Sequence, residues 1–405
     1  MKDTDLYAQI LSIEDPWSVS NVIFDKPNGK MTVQVSLAKK GLKCPQCNKS
    51  CSKHDSRIRQ WRHLDTCQFS TFIEAGIPRV NCPKDGIHQI NIPWAETNSR
   101  FTLLFERLVI DLLHDCSLSV VAKHTNLTWD QVDGIQNRAV LRGLKRKKKK
   151  QLTGIGIDEV AYKKGHNYFT IVHDKDSGDV LHVVDGRKTV DIDTFYEAWS
   201  GYTDGITSVS MDLWKAFIKS TKKHISNAEE KICFDRFHVA GFFSKAVDLV
   251  RKKEHNTLLK MGDSTLSKSK YDWLKNASKL DGRSRKHFMK LTKLNLKTAR
   301  AWAIKETAGK LWSYTNKTWA VKMWRKLIGW MWRSKLKPMV ILSKSIRKHF
   351  YGILNSILLG VSNGRAESIN SKIQKIKKMA CGFRNVERFK NSILFHLEGI
   401  ELYPN

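Results

Sequence analysis

The sequence predicts an α/β protein of several domains: a mixed sheet interrupted by a large helical insertion and preceded by two small modules. Three observations predict it. Residues 151–240 alternate strand-like and helix-like stretches in the order βββαβαβ, with acids at strand ends. Residues 241–360 read as helix almost throughout and are strongly basic. Five of the eight cysteines crowd between Cys44 and Cys82, well before the alternating region.

Composition narrows the class. With 41% hydrophobic and 27% charged residues, the 405-residue chain has material for several domains and is not globally disordered. Seventy-one Lys and Arg against 39 Asp and Glu leave a net charge of +32. Nucleic acid is the commonest partner for such a charge, because binding phosphates releases counterions. A merely basic surface protein is the plainer alternative. No apolar run reaches the ~18 residues that span a bilayer, so no membrane partner is expected. The N-terminus carries acids where a signal peptide has a basic start, so a cytoplasmic protein is expected. In a reducing compartment a local cysteine cluster points to metal rather than disulfides.

Residues 1–100 form the first module. Cys44-Pro45-Gln46-Cys47 is a CxxC knuckle, and Cys82 begins its natural partner. Structural zinc takes four ligands, usually in two such pairs, which makes this a candidate zinc ribbon. Cys44, Cys47 and Cys82 are three ligands. The fourth is open between Asp85 and His88, with Cys51 and Cys67 as outside candidates. Residues 101–150 form the second module. Ser117–His124 has helical spacing, Thr125-Asn126-Leu127 makes a turn, and Thr128 caps a helix that runs to Leu144. Two helices joined by a short turn fit a helix-turn-helix, whose second helix enters the major groove. Gln131, Gln136, Asn137 and Arg138 are its candidate DNA contacts. The basic run Lys145–Lys150 is a solvated linker in which Lys147 and Lys148 suit phosphates.

Residues 151–240 are the first part of the core. Strands are expected at 154–158, 168–173, 180–184, 206–211 and 231–234, with helices after the third and fourth. That order is the order of a ribonuclease-H-like fold. Asp158 follows the first strand and Asp212 the fourth, and these strands are expected to be neighbours. Two acids there repel unless a cation lies between them, so the pair points to metal. Phosphoryl transfer uses two divalent ions held by a few carboxylates, and magnesium favours oxygen ligands. Spacing alone leaves the third acid open among Glu159, Asp235 and Glu367.

Several segments together resemble the ISL-three family of bacterial insertion-sequence transposases: GIDEVAYKKGHNY (156–168), SVSMDLWKAFI (208–218), FDRFHV (234–239) and SNGRAESINSKIQKIKKMACGFRN (362–385). RQWRHLD (59–65) and IPWAETNSRFT (92–102) are similar to its N-terminal region. The resemblance covers nearly the whole chain. It implies a DDE transposase that binds terminal inverted repeats and cleaves and joins DNA strands with magnesium or manganese, two ions held by Asp158, Asp212 and Glu367. Asp235 and His238 match a motif near the active site of related transposases. The family pattern implies His or Cys where Asp85 stands. Partners implied are double-stranded DNA, both element ends and target, and a homodimer or larger assembly at the nucleoid.

Residues 251–350 hold 27 Lys and Arg against 5 acids, a net +22, interleaved with seven tryptophans. This charge reads as a phosphate-tracking face and most of the tryptophans as core. Residues 361–405 complete the core as helix, with Lys372, Lys377 and Arg384 as further DNA contacts. The competing functions are an inactive DNA-binding regulator and a ribonuclease-H-like nuclease.

Overall fold

The structure, a computed structural model, describes residues 2–38, 41–163, 165, 167–275, 282–294, 296–361 and 364–404. Its contacts divide the chain into two units. One comprises Met1–Lys147, Lys377–His396 and Ile400–Asn405; the other comprises Lys148–Ile376 and Leu397–Gly399.

The first unit opens with helix α1 (Asp3–Ile10) and strands β1 (Trp17–Asp25), β2 (Lys30–Leu37), β3 (Ser52–Arg62), β4 (Ser70–Cys82) and β5 (Gly86–Gln89). They form one sheet in the order β1-β2-β4-β3, with β5 paired to β4; β2 and β4 are parallel and the other pairs antiparallel. Alternation builds it: Met31, Val33 and Val35 on β2 and Ile73, Ala75 and Ile77 on β4 share a buried face with Trp17, Trp61 and Trp94. Helices α2 (Leu103–Asp115), α3 (Leu118–Thr125) and α4 (Trp129–Arg146) follow. Ser117 caps α3, Asn126 ends it in the left-handed region (φ 54°), and Thr128 with Gln131 forms a capping box for α4. The expected turn and the Thr128 cap are present, but Thr125 ends α3 rather than opening the turn, and Ser117 is a further cap.

The second unit contains β6 (Gly154–Lys163), β7 (Asn167–Asp174), β8 (Val180–Asp185), α5 (Thr189–Ala198), β9 (Ser208–Met211), α6 (Lys215–His224), α7 (Ala228–Lys231), β10 (Ile232–Phe234) and α8 (Arg236–Lys260). The sheet order is β10-β9-β6-β7-β8. β10, β9 and β6 run parallel; β7 and β8 add antiparallel. Ile155, Ile157, Val209, Met211, Ile232 and Phe234 bury its strands against Phe195, Phe217 and Phe243. Gly156 is required on β6, because a Cβ there would lie 2.2 Å from the buried His173 ring on β7.

The helical insertion consists of α9 (Lys270–Leu274), α10 (Gly282–Lys293), α11 (Lys297–Lys310), α12 (Lys317–Arg333), α13 (Lys337–Lys348) and α14 (Phe350–Leu358). Glu254 on α8 accepts from the Lys297 and Thr298 amides, both at 2.7 Å, and so caps α11. The last helix, α14, covers the edge strand β10. Asn355 donates to the Ile232 carbonyl at 2.9 Å, Ser356 donates to that of Phe234 at 2.7 Å, and Gly352 lets the helix approach the Phe234 ring. Trp273 and Trp324 are fully buried and Trp302 and Trp312 half-buried, whereas Trp319, Trp330 and Trp332 on α12 are exposed.

Helices α15 (Gly364–Met379) and α16 (Val386–Leu397) close the chain. Residues 361–405 do not all stay with the second unit. Phe395 and Leu402 fill the core of α2–α4, and Arg142 donates to the Leu402 carbonyl at 2.5 Å. The helix-turn-helix alone leaves that hollow, and the C-terminus occupies it. No described helix is long and apolar enough to cross a membrane.

Candidate active site

Asp158 lies within β6, and Asp212 directly follows β9. The parallel register pairs Ile157 with Met211, so the two acids are the next residues along adjacent strands. Both are buried, at 7% and 8% exposed. Burial first, then the Asp212 charge, raises the Asp158 carboxyl to about 6. Its Oδ1 accepts from the Glu159 amide and its Oδ2 from Asn370 Nδ2, both at 2.8 Å. Asp212 Oδ2 lies 3.0 Å from His238 Nδ1, and the hydrogen bond between them is the main reason that imidazole is raised to about 9. Asp212 Oδ1 is buried and has no hydrogen-bond partner.

Asp235 follows β10 and caps α8, accepting from the Phe237 amide at 3.0 Å; its Oδ2 stands 3.9 Å from His238 Nε2. Asp212, Asp235 and His238 thus present ligand atoms within 4.8 Å of one another. Glu159, one of the candidate third acids, is paired with Arg187 at 3.2 Å. Glu367 is exposed in the first turn of α15. It lies outside the Asp212 cluster, but Asn370, one turn further along the helix, ties α15 to Asp158. The sequence reading missed Asn370. The signal was available: position 370 shares a face with Glu367 at i,i+3. Ser362 and Asn363, the start of the expected turn before α15, lie outside the described residues.

A second cluster joins Cys44, Cys47, Cys82 and Asp85, again with ligand atoms within 4.8 Å. The Cys47 and Cys82 sulfurs are 3.5 Å apart, and Asp85 Oδ2 is 3.4 Å from the sulfurs of both Cys44 and Cys82. The Asp85 carboxylate pushes the Cys47 thiol up to about 12, as packed anionic ligands do without a cation. His88 stands apart from this cluster and directs Nε2 to the Asp85 carbonyl at 2.5 Å.

The candidate DNA contacts on α4 serve the first unit's own packing. Gln131 closes the capping box. Gln136 is 2% exposed and accepts from Ser392 at 3.2 Å; Asn137 accepts from Asn391 at 2.7 Å; Arg138 pairs with the buried Glu106 at 2.6 Å. Burial under α16 removes Gln136 from any base edge. By contrast Lys148, Lys372 and Arg384 are exposed and Lys147 and Lys377 partly so. Arg384 shares a cleft with Ser117, Ser119 and Trp129 at the starts of α3 and α4.

Residues 155–393, more than half of the chain, match a family profile described as transposase, of the ISL3 type with a DDE domain. This chain belongs to the ISL3 family of transposases. Residues 90–140 match the helix-turn-helix domain of that family, and residues 41–85 the zinc-finger of the transposases of IS204, IS1001, IS1096 and IS1165. The chain is 27% identical, over 95% of its length and 93% of the relative's, to the transposase for insertion sequence element IS1557 of Mycobacterium tuberculosis. It is 23% identical to the transposase for IS1001 of Bordetella parapertussis, covering 90% of this chain and 91% of that one. Among solved structures, the Drosophila P element transposase strand transfer complex matches 76% of this chain and 94% of that one. Its TM-score is 0.36 at 12% identity, too low to inform the geometry. The protein is thus an insertion-sequence transposase with a DDE domain and a DNA-binding helix-turn-helix.

Proposed function

We propose that this transposase binds the terminal inverted repeats of its element and catalyses divalent-metal-dependent strand cleavage and strand transfer, with Asp158, Asp212 and Glu367 as its metal-holding carboxylates. One observation carries the reading: two buried acids stand next to each other on adjacent parallel strands, His238 pairs with Asp212 Oδ2, and Asp212 Oδ1 is left without a partner. That arrangement fits a divalent cation, since uncompensated buried charges are costly. The strand order β10-β9-β6-β7-β8 supports a ribonuclease-H-like sheet. Bound magnesium or manganese would neutralise the scissile phosphate and polarise the attacking and leaving oxygens. The chain's own residues then do the positioning. Asn370 fixes the Asp158 carboxylate, and His238 orients Asp212. Asp235 restrains His238 from the start of α8. Glu367 sits one turn from Asn370 and completes the site from α15.

Zinc in the N-terminal module would be held by Cys44, Cys47, Cys82 and Asp85. A Zn–S length of about 2.3 Å gives sulfurs roughly 3.8 Å apart in a tetrahedron, close to the spacing present. Lys147, Lys148, Lys372, Lys377 and Arg384 contact phosphates, as do the exposed cations of α12. Joining two ends at once calls for a dimer or larger assembly, working in the cytoplasm on nucleoid DNA. The test is cleavage of DNA carrying the repeats that flank the gene. Nicking at the ends that needs magnesium or manganese supports the reading. Cleavage that ignores the end sequence would favour the nuclease.

A further inference from the structure

A cleft of about 800 Å³ opens two residues beyond Asp212. Trp214 lines it, together with Arg187, Lys188, Lys215 and Lys219. Trp214 is 39% exposed, a large apolar surface outside any core, yet its ring is fixed. Its Nε1 donates to the Arg187 carbonyl at 3.1 Å, and the Arg187 guanidinium lies 4.6 Å from the Trp214 ring centroid and 4.3 Å from that of Tyr168. Glu159 restrains the same guanidinium at 3.2 Å. The acid in the cleft, Asp191, is occupied in capping α5, accepting from the Lys188 amide at 2.7 Å. Lys188, Lys215 and Lys219 are exposed around it.

We propose that this cleft takes one unpaired nucleotide of the DNA strand beside the scissile phosphate, with its base stacked on Trp214. A preset aromatic face ringed by cations is how proteins hold single-stranded nucleotides, since every base offers a π-face and every nucleotide a phosphate. A base inside a duplex cannot reach such a face, so the nucleotide must leave the stack. Position selects the nucleotide: Trp214 starts α6 immediately after the Asp212 turn, so what binds there adjoins whatever Asp212 acts on. The inference rests on Asp212 belonging to the active site, and its test separates the two ideas.

The test uses the full-length protein and duplexes bearing the gene-flanking repeats, with 5-iodouracil placed singly at each position around the cleavage site. Irradiation and peptide mapping should give a crosslink to Trp214 from one or two adjacent positions. Trp214→Ala should abolish it and slow cleavage about ten- to hundredfold, the equivalent of losing one stacked base. A mismatch at the crosslinking nucleotide should narrow that deficit, because the base is already unpaired. Trp214→Phe, which keeps an aromatic face, should retain the crosslink, and an unchanged melting temperature for Trp214→Ala excludes misfolding. Asp212→Asn should lose cleavage and keep the crosslink. Efficient end cleavage with no crosslink at Trp214, or a Trp214→Ala protein that cleaves paired ends at the normal rate, overturns the proposal. Cleavage surviving Asp212→Asn would instead overturn the active-site assignment on which it rests.

Discussion

Asp158 is held in a position that suits its ionised form poorly. Its carboxyl titrates near 6 in the folded metal-free protein, against 3.8 in an unfolded chain. Well below pH 3.8 it is neutral in both states. As pH rises from 4 to 6 the unfolded chain gives up its proton first, so folding stability falls across that window, by up to about 3 kcal/mol. Asp158→Asn cannot ionise and should flatten that decline in chelator-treated protein, read by denaturant unfolding. An identical slope in the variant would show that Asp158 carries no such strain. The other cluster yields a prediction of metal content. Asp85→Ala should lower bound zinc well below one per chain, while Asp85→Cys should keep it stoichiometric, both read by elemental analysis. Full zinc in Asp85→Ala would return the fourth position to another residue. The choice between Asp85 and His88 was not legible in the sequence, because both follow Cys82 closely. The structure favours Asp85, whose Oδ2 lies 3.4 Å from the Cys44 and Cys82 sulfurs, whereas His88 pairs with Val80 further along the strands and stays outside the cluster.

At the scale of elements, local signals carried far. The Thr125–Leu127 turn and the Thr128 cap announced the helix pair, and short apolar runs bounded by turns announced the strands of the second unit. The neighbouring of β6 and β9 followed from strand order, and with it the Asp158 and Asp212 pair. The third acid did not follow, since 155 residues separate Glu367 from Asp212. Periodicity says nothing about which helix returns across such a gap. Long-range contacts such as α14 with β10 have no local signature, and Asn370 could be reached only through its place one turn beyond Glu367. The basic stripe of α12 makes a prediction at this scale. Lys322, Arg325, Lys326 and Arg333 line one shallow groove on that helix. Replacing Lys322, Arg325 and Lys326 with Gln should weaken binding to all DNA and reduce the salt slope, log K against log salt, by about 0.9 per lost contact. An unchanged slope would assign the stripe to solvation alone.

At the scale of the whole molecule, the C-terminus proved to belong with the helix-turn-helix. α16 lends Phe395 to the core of α2–α4, and its Ser392 and Asn391 occupy the polar face of α4. No sequence pattern links residues more than 250 positions apart, so the partners of Gln136 and Asn137 on α16 were not legible in the sequence. Phe395→Ala should destabilise the first unit by about 3–5 kcal/mol and weaken end binding with it, while leaving the second unit's melting unchanged. Loss of end binding with no change in stability would argue that α16 contacts DNA directly.

The central claim is that Asp212 holds catalytic metal beside Asp158. The direct measurement is magnesium- or manganese-dependent cleavage of DNA bearing the element's ends by Asp212→Asn, compared with the unaltered protein under conditions where both bind those ends equally. The account predicts that the variant binds but loses cleavage by a thousandfold or more, on the order of 4 kcal/mol of transition-state stabilisation. Cleavage at an undiminished rate would contradict it.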